Sequence, residues 1–353
     1  MPISAEAKKV MAAINKKLGD NSVVIGEDIR EDLVGCSPSG SVTLDYILNG
    51  GFPSNQWTEL VGEPSHGKTM LALKFVAANQ RRDPDWVAVW VAAEQWSPAY
   101  ATLCGVDHSR VIVIETNIME EAYQAVIDFA ESKAIDAIVV DSLPALVPAP
   151  EDEKQMDEMT VGRGALITNK FFRKAGAAMK RSLTENERPV TGIIINQFRM
   201  QIGVMHGDPR TTPGGKGKDY AYFVRCEVRR DEWIETGSGA NKVRVGQRVK
   251  IRTIKSKVSP PQQVAYVDFY FKNHSIYEAG DYDFAKEVVS LAIILGTVDR
   301  RGAWYYRGDA KWNGQEALLQ AVREDPDLFD AMQAEVMANT PTAPQAVVGT
   351  NAD

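Results

Sequence analysis

The chain has 353 residues, 44% of them hydrophobic and 25% charged, with a formal net charge of −7, which is the composition of a globular protein with room for one large core and one or two small satellites. Its apolar runs, such as 86–93 and 193–195, are too short to cross a bilayer and the amino terminus lacks a signal-peptide layout, so a cytoplasmic protein without a membrane partner is expected. Cys36, Cys104 and Cys226 are widely spaced and without metal-ligand spacing, so reduced thiols are expected, and no zinc site is indicated.

Residues 5–18 predict a short helix with Val10, Met11, Ile14 and Leu18 on one side. It buries little alone and must dock on its own core or on a neighbouring subunit. Gly40 to Leu48 reads as a turn and helix start, and Gly50-Gly51-Phe52-Pro53 as a break, which puts the start of the main domain near Val34.

A strand predicted over 57–61 runs into Gly62-Glu63-Pro64-Ser65-His66-Gly67-Lys68-Thr69, a Gly, four free positions, then Gly-Lys-Thr. A helix predicted over 69–79 follows, with Leu71, Phe75 and Ala78 on one face. In that strand-loop-helix context, inward-turned backbone N–H groups cradle phosphate oxygens and glycines permit the curvature. Lys68 can reach the outer phosphates, Thr69 can offer its hydroxyl to Mg²⁺, and the helix adds its positive dipole end. A nucleoside triphosphate site is expected here.

A turn at Asp83-Pro84-Asp85 precedes a nearly unbroken apolar run over 86–92 that ends at Ala93-Glu94. Unbroken apolar strands suit a parallel sheet covered on both faces, and ligands gather at the carboxyl ends of such strands. Glu94 is therefore a general-base candidate. A strand over 111–114, a helix over 120–132 and an apolar strand over 137–140 lead to Asp141-Ser142. Asp141 is the candidate to hold a metal beside Thr69.

Residues 148–160, rich in Pro, Asp and Glu, read as a loop, and 164–183 as a helix bearing Arg173, Lys174, Lys180 and Arg181. A strand over 190–195 ends at Asn196-Gln197. The next stretch, 198–217, holds five glycines and two prolines with no regular pattern, and a loop of that length is uncommon unless functional. Gln197 can hydrogen-bond a γ-phosphate oxygen and pass ligand state to this loop. From Asn196 to Lys257 there are 14 Lys and Arg against 6 Asp and Glu, an electrostatic footprint for nucleic acid inside an acidic chain. Strands over 223–230 and 243–257 follow, the second placing Lys255 and Lys257 on one face. Beyond Phe271, helices over 283–295, 314–323 and 327–337 and an aromatic patch over 303–306 make a small α-rich satellite, and 339–353 a disordered tail.

With these residues in view the chain resembles the bacterial RecA recombinases, from about Val10 to about Val336. Asn196-Gln197-Phe198-Arg199-Met200-Gln201-Ile202-Gly203-Val204-Met205 through Thr211-Thr212-Pro213-Gly214-Gly215 resembles the family's second DNA-binding loop. Ala137 to Ser142 resembles its metal-binding strand, Ala93-Glu94 its catalytic glutamate, and Gly302-Ala303-Trp304-Tyr305 its carboxyl-terminal domain.

The resemblance implies an α/β fold: a RecA-like phosphate-loop ATPase core with a mostly parallel central sheet, a short amino-terminal helix-strand segment and a small α-rich carboxyl-terminal domain. The implied divisions are an amino-terminal polymerisation segment over 1–33, an ATPase core over 34–270 with DNA-binding loops at about 148–163 and 197–217, a small domain over 271–338 and a tail over 339–353. It implies ATP and Mg²⁺ as cofactors, and as partners single-stranded DNA, homologous double-stranded DNA and further copies of the chain in a helical filament.

By the same resemblance Glu94 polarises the attacking water, Lys68 and Thr69 bind phosphate and Mg²⁺, Asp141 holds the metal through water, and Gln197 couples γ-phosphate to the loop. Pro98 and Tyr100 pack on adenine, while Lys255, Lys257 and Pro261 reach ATP across a subunit boundary. Arg173, Arg199, Met200, Ile202, Gly203, Val204, Gly214, Gly215 and Lys216 line the DNA path.

Departures mark a divergent member, of the kind a phage or plasmid carries. Gln95-Trp96-Ser97-Pro98 is one residue short, and Ser97 stands where the family often has an adenine-contacting Asp. Gln201 replaces a basic residue, His206 an aromatic and Asp219 a lysine, and the tail is less acidic. The expected activity is DNA-dependent ATP hydrolysis coupled to homologous pairing and strand exchange. A ring-forming, helicase-like motor on the same fold, and a regulator that binds ATP without recombining, are the alternative readings.

Overall fold

A computed structural model describes residues 3–18, 22–28, 35–149, 162–179, 188–200, 209–215 and 217–340. Its frame is an eight-stranded sheet. The strands are β1 (Trp57–Val61), β2 (Ala88–Ala92), β3 (Val111–Ile114), β4 (Ala137–Asp141), β5 (Thr191–Asn196), β6 (Tyr222–Thr236), β7 (Val243–Ser256) and β8 (Val264–Tyr270). They lie in the order β8-β7-β6-β1-β5-β4-β2-β3. From β6 to β3 every pairing is parallel, and β7 and β8 extend the sheet antiparallel at the other side.

Burial on both faces explains why the inner strands read as apolar runs. Val139, Ile193 and Ile195 face a core built on Leu60, Phe75 and Trp90, whereas Ile138, Val140 and Ile194 face one built on Trp57, Tyr123 and Phe171. The first core is covered by the helix that follows β1, and the second by the helices Met119–Ser132 and Arg163–Ala178.

β2 starts at Ala88, later than its apolar run. Trp86 is occupied with Phe75, ring centroids 5.6 Å apart, and Val87 N donates to Asp136 Oδ2 at 2.7 Å. In chain order the helices are α1 (Ala5–Leu18), α2 (Val42–Ile47), α3 (Lys68–Arg82), α4 (Pro98–Leu103), α5 (Met119–Ser132), α6 (Arg163–Ala178), α7 (Phe284–Ile294), α8 (Gln315–Glu324) and α9 (Pro326–Asn339). α3 is buried on more than the one expected face: Lys74 Nζ donates to Gly280 O at 2.7 Å, so the segment before α7 closes over it. Val10 on α1 and Ile3 just before it are exposed.

The carboxyl-terminal lobe is α-rich, as expected, and carries a small sheet besides. α7, α8 and α9 pack through Val288, Leu291, Leu318, Met332 and Val336, beside a three-stranded antiparallel sheet of Asp299–Arg301, Trp304–Arg307 and Ala310–Asn313. The expected aromatic patch is its middle strand. Glu287 of α7 ties the lobe to α2: its Oε2 accepts from Ser41 Oγ at 2.6 Å, Thr43 N at 3.1 Å and Thr43 Oγ1 at 2.9 Å.

The expected helix over 164–183 ends at Ala178, and 180–187, including Lys180 and Arg181, lie outside the described residues. Most of the expected loop over 148–160, from 150 to 161, and the tail from 341 onward lie outside them too, while Asn339 still belongs to α9. No disulfide joins the three cysteines. No helix among the described residues is long and apolar enough to cross a membrane.

Candidate functional site

The parallel strands deliver their carboxyl ends to one edge of the sheet, where the phosphate loop, Glu94, Asp141 and Gln197 all sit. Gly62 leaves β1 with no room for a side chain, since a Cβ there would fall 2.0 Å from Val228 O of β6. Gly67, at φ 97°, turns the loop into α3 through the left-handed region. Lys68 opens α3 and is buried, and its Nζ donates to Gly62 O at 3.0 Å and Glu63 O at 2.7 Å across the loop. Burial lowers its pKa, opposed by the charges of Asp141, Glu94 and Glu63.

β2 and β4 are neighbours, with Ala92 opposite Asp141, and Glu94 N donates to Asp141 O at 3.0 Å. The two carboxylates therefore stand side by side. Burial pushes the Asp141 carboxyl up to about 6, opposed by its hydrogen bond with Thr69, while the charge of Glu94 adds to the rise and that of Lys68 offsets it. Glu94 is exposed, and its Oε1 accepts from Ser142 Oγ at 2.5 Å.

One hydroxyl facing one carboxylate fits Mg²⁺ that takes its other ligands from phosphate and water. No cluster of three or more His, Cys, Asp or Glu among the described residues could cage a metal without them. The cavity here is about 430 Å³ and is lined by Ser65, Gly67, Lys68 and Thr69 of the loop, by Glu94 and Asp141, and by Trp96, Ser97 and Tyr100.

Glu63, Pro64 and His66 belong to the loop but do not line the cavity. Burial, then the neighbouring Arg230 and Lys68, lower the pKa of His66. Pro98 opens α4 behind the cavity wall, and Ser97 caps that helix, its Oγ accepting from Tyr100 N at 3.4 Å.

Two residues that line the cavity, Trp96 and Gln247, and one that holds a lining residue, Ser142, escaped the sequence reading. Trp96 stands edge-on to Trp90, centroids 5.2 Å apart. Ser142, beside the cavity, holds Glu94. Gln247 of β7 lines the cavity and is buried at a position where Val245, Val249 and Ile251 also point inward, so a lone polar residue on an apolar face was the available signal.

Gln197 follows β5, its backbone N donating to Asn196 Oδ1 at 2.9 Å. Arg199 and Met200 are exposed and pair with Thr211 and Arg210 in a two-residue ladder, so the ends of the expected irregular loop are paired. Ile202, Gly203 and Val204, as well as Gln201, His206 and Lys216, lie outside the described residues. Gly214 and Gly215 lie against Thr168 and Ala165 of α6, the helix that exposes Arg173. Beside this loop, Arg210, Arg229, Lys250 and Arg252 surround Glu227 in a basic hollow of about 350 Å³.

Lys255, Lys257 and Pro261 do not line the cavity. β7 runs antiparallel to β6, so Gln247 stands by the phosphate loop while Lys255 lies about 27 Å along the strand, at about 3.4 Å per residue. The two lysines do not share a strand face, because β7 ends at Ser256: Lys255 Nζ donates to Asp219 O at 2.6 Å, and Lys257 Nζ lies 5.3 Å from the Phe223 ring centroid.

The RecA N-terminal domain family matches residues 5–275. Similar proteins over nearly the whole chain include Protein RecA of Lactobacillus delbrueckii subsp. bulgaricus, 36% identical over 94% of this chain and 96% of that protein. Protein RecA of Roseiflexus castenholzii is 33% identical over 100% and 97%, and that of Thermus thermophilus 34% identical over 94% and 93%. A phosphate loop, two strand-end carboxylates and a basic loop on one sheet edge, together with similarity from end to end, place this chain in the bacterial RecA recombinase family.

Proposed function

We propose that this RecA-family recombinase is a DNA-dependent ATPase whose active form is a filament of copies on single-stranded DNA. The observation that carries the reading is the convergence of Lys68, Thr69, Glu94 and Asp141 on one cavity, at the same sheet edge from which Gln197 leads into the basic loop.

Bound Mg²⁺ would neutralise phosphate charge; Thr69 and Asp141 are the residues that would hold it. Lys68 offers an ammonium already aimed across the loop. Glu94 accepts a proton from water as general base, with one carboxylate oxygen fixed by Ser142 and the other available. Trp96 and Tyr100 supply an apolar wall for the base.

Arg173, Arg199, Met200, Gly214 and Gly215 would follow the single strand, and Arg229, Lys250 and Arg252 are suited to further phosphates, including those of a homologous duplex. Lys255, Lys257 and Pro261, which do not line the cavity of their own chain, would serve that of a neighbouring copy. The exposed Val10 face of α1 is suited to dock on that copy, with the amino-terminal segment, core and small lobe as its working divisions. A cytoplasmic setting belongs to the same reading.

Steady-state ATP hydrolysis with and without single-stranded DNA tests it, with Glu94→Gln as the blank. Absence of stimulation would count against the reading.

A further inference from the structure

The strand end that carries Gln197 and the strand that carries Lys255 are joined by buried polar contacts that the chemistry above does not use. Their centre is Glu59, midway along β1 and 0% exposed. Its two carboxylate oxygens are divided: Oε1 accepts from Asn196 Nδ2 at 2.8 Å and Oε2 from Arg225 Nε at 2.6 Å.

On one side, Asn196 is itself fully buried and fixes the backbone of Gln197 through its Oδ1. On the other, Arg225 Nη1 lies 3.3 Å from Asp219 Oδ1, in the helical turn Gly217–Ala221, and the carbonyl of Asp219 is what Lys255 Nζ bonds. The Asp219 carboxylate also takes Lys218 Nζ at 2.9 Å, and Lys218 donates on to Thr212 Oγ1 at 2.6 Å. Contacts that begin at Glu59 therefore reach both ends of the loop over 197–217 and the lysine on β7.

An ionised carboxylate is acceptor-only, so two donors approaching from opposite sides occupy both of its oxygens. Asn196 is fully buried and has no bulk water to turn to if Glu59 shifts, and Arg225, only 17% exposed, is held between Glu59 and Asp219. A displacement at Asn196 is thus felt at Arg225, and the reverse.

We propose that Glu59 is a positioning residue: through Asn196 and Arg225 it makes the strand end at Gln197 move together with the turn that holds Lys255, and so transmits DNA occupancy of the loop to ATP turnover. Glu59 touches neither ligand. The proposal rests on the ATPase reading above.

The test uses the full chain, steady-state ATP hydrolysis with and without an oligo-dT single strand, and oligo-dT affinity by anisotropy. Glu59→Gln keeps an oxygen for one donor and sets an NH₂ against the other. Its DNA stimulation factor should fall about tenfold or more, while turnover without DNA and oligo-dT affinity stay within about threefold. Adding Asn196→Asp reverses the polarity of one contact, the Gln amide now donating to a carboxylate while its oxygen still serves Arg225. The double variant should return to within about threefold of the original stimulation.

Unchanged stimulation in Glu59→Gln, an equal fall in both rates, or no recovery in the double variant would overturn the proposal. If Glu59→Gln does not fold, Asn196→Ala, which leaves the Glu59–Arg225 ion pair in place, should show the same loss of stimulation, and its absence would overturn the proposal equally. No stimulation in the unaltered chain would overturn the ATPase reading itself.

Discussion

The Ser142 hydroxyl donates to Glu94 Oε1 at 2.5 Å, across the boundary between the ends of β2 and β4. The bond pins one oxygen of an exposed carboxylate and orients the other. Glu94→Gln removes the base and keeps the shape, so kcat should fall by about 10²- to 10⁴-fold. KM for ATP should change little, and ATP-dependent assembly on DNA should persist. Steady-state kinetics with electron microscopy check both halves, and ordinary turnover would remove Glu94 from the role.

Lys68 spans its own loop through two carbonyls, so its loss affects both the loop and the phosphate charge it would meet. Lys68→Ala should weaken ATP binding by about 2–3 kcal/mol, the worth of a hydrogen bond to a charged group. Nucleotide-dependent assembly should disappear. Titration calorimetry and light scattering read the two effects, and normal filaments would sink the assigned role.

Arg199 is exposed at the mouth of the loop, where a phosphate contact would release counterions. For Arg199→Ala, single-strand affinity should fall and the slope of log K against log salt should shrink by about 0.7. Anisotropy across a salt series measures this, and an unchanged slope would rule out phosphate contact at that side chain.

Glu287 is buried and Asp45 half-buried where α2 meets the carboxyl-terminal lobe, and desolvation pushes each carboxyl up to about 7. In the unfolded chain both titrate near about 4. Between those values the folded state binds more protons, so their contribution to stability is fully present below about pH 4 and is lost as pH rises through 7. Glu287→Gln keeps an oxygen for Ser41 and Thr43 without the charge. Urea unfolding from pH 5 to 8 should therefore show a shallower decline than the unaltered chain, by up to about 3 kcal/mol. Parallel declines would mean that Glu287 does not carry the effect.

Much of this was legible in the residues. The strand at 137–141 announces itself as an apolar run because both faces are covered, the half-exposed edge strand at 111–114 by four β-branched residues, and the phosphate loop carries its own spacing. Asp141 was legible because its strand stops where its chemistry starts. Spacing along one strand failed for Lys255 and Lys257, since β7 ends between them. The role of Ser142 depends on pairing between β2 and β4, and that of Gln247 on a hairpin returning to the loop. The division of Glu59 between Asn196 and Arg225 joins three strands far apart in sequence, and no local pattern encodes that.

β1 sits between β5 and β6, both made much later in the chain. During synthesis the phosphate loop therefore emerges early but has neither flanking strand, and the Val228 carbonyl that closes over Gly62 arrives only with β6. A nascent chain released before that point carries the whole loop sequence but lacks the strand that packs against Gly62. The pairing that holds β1 on both edges is thus completed only once the chain has been made past its middle.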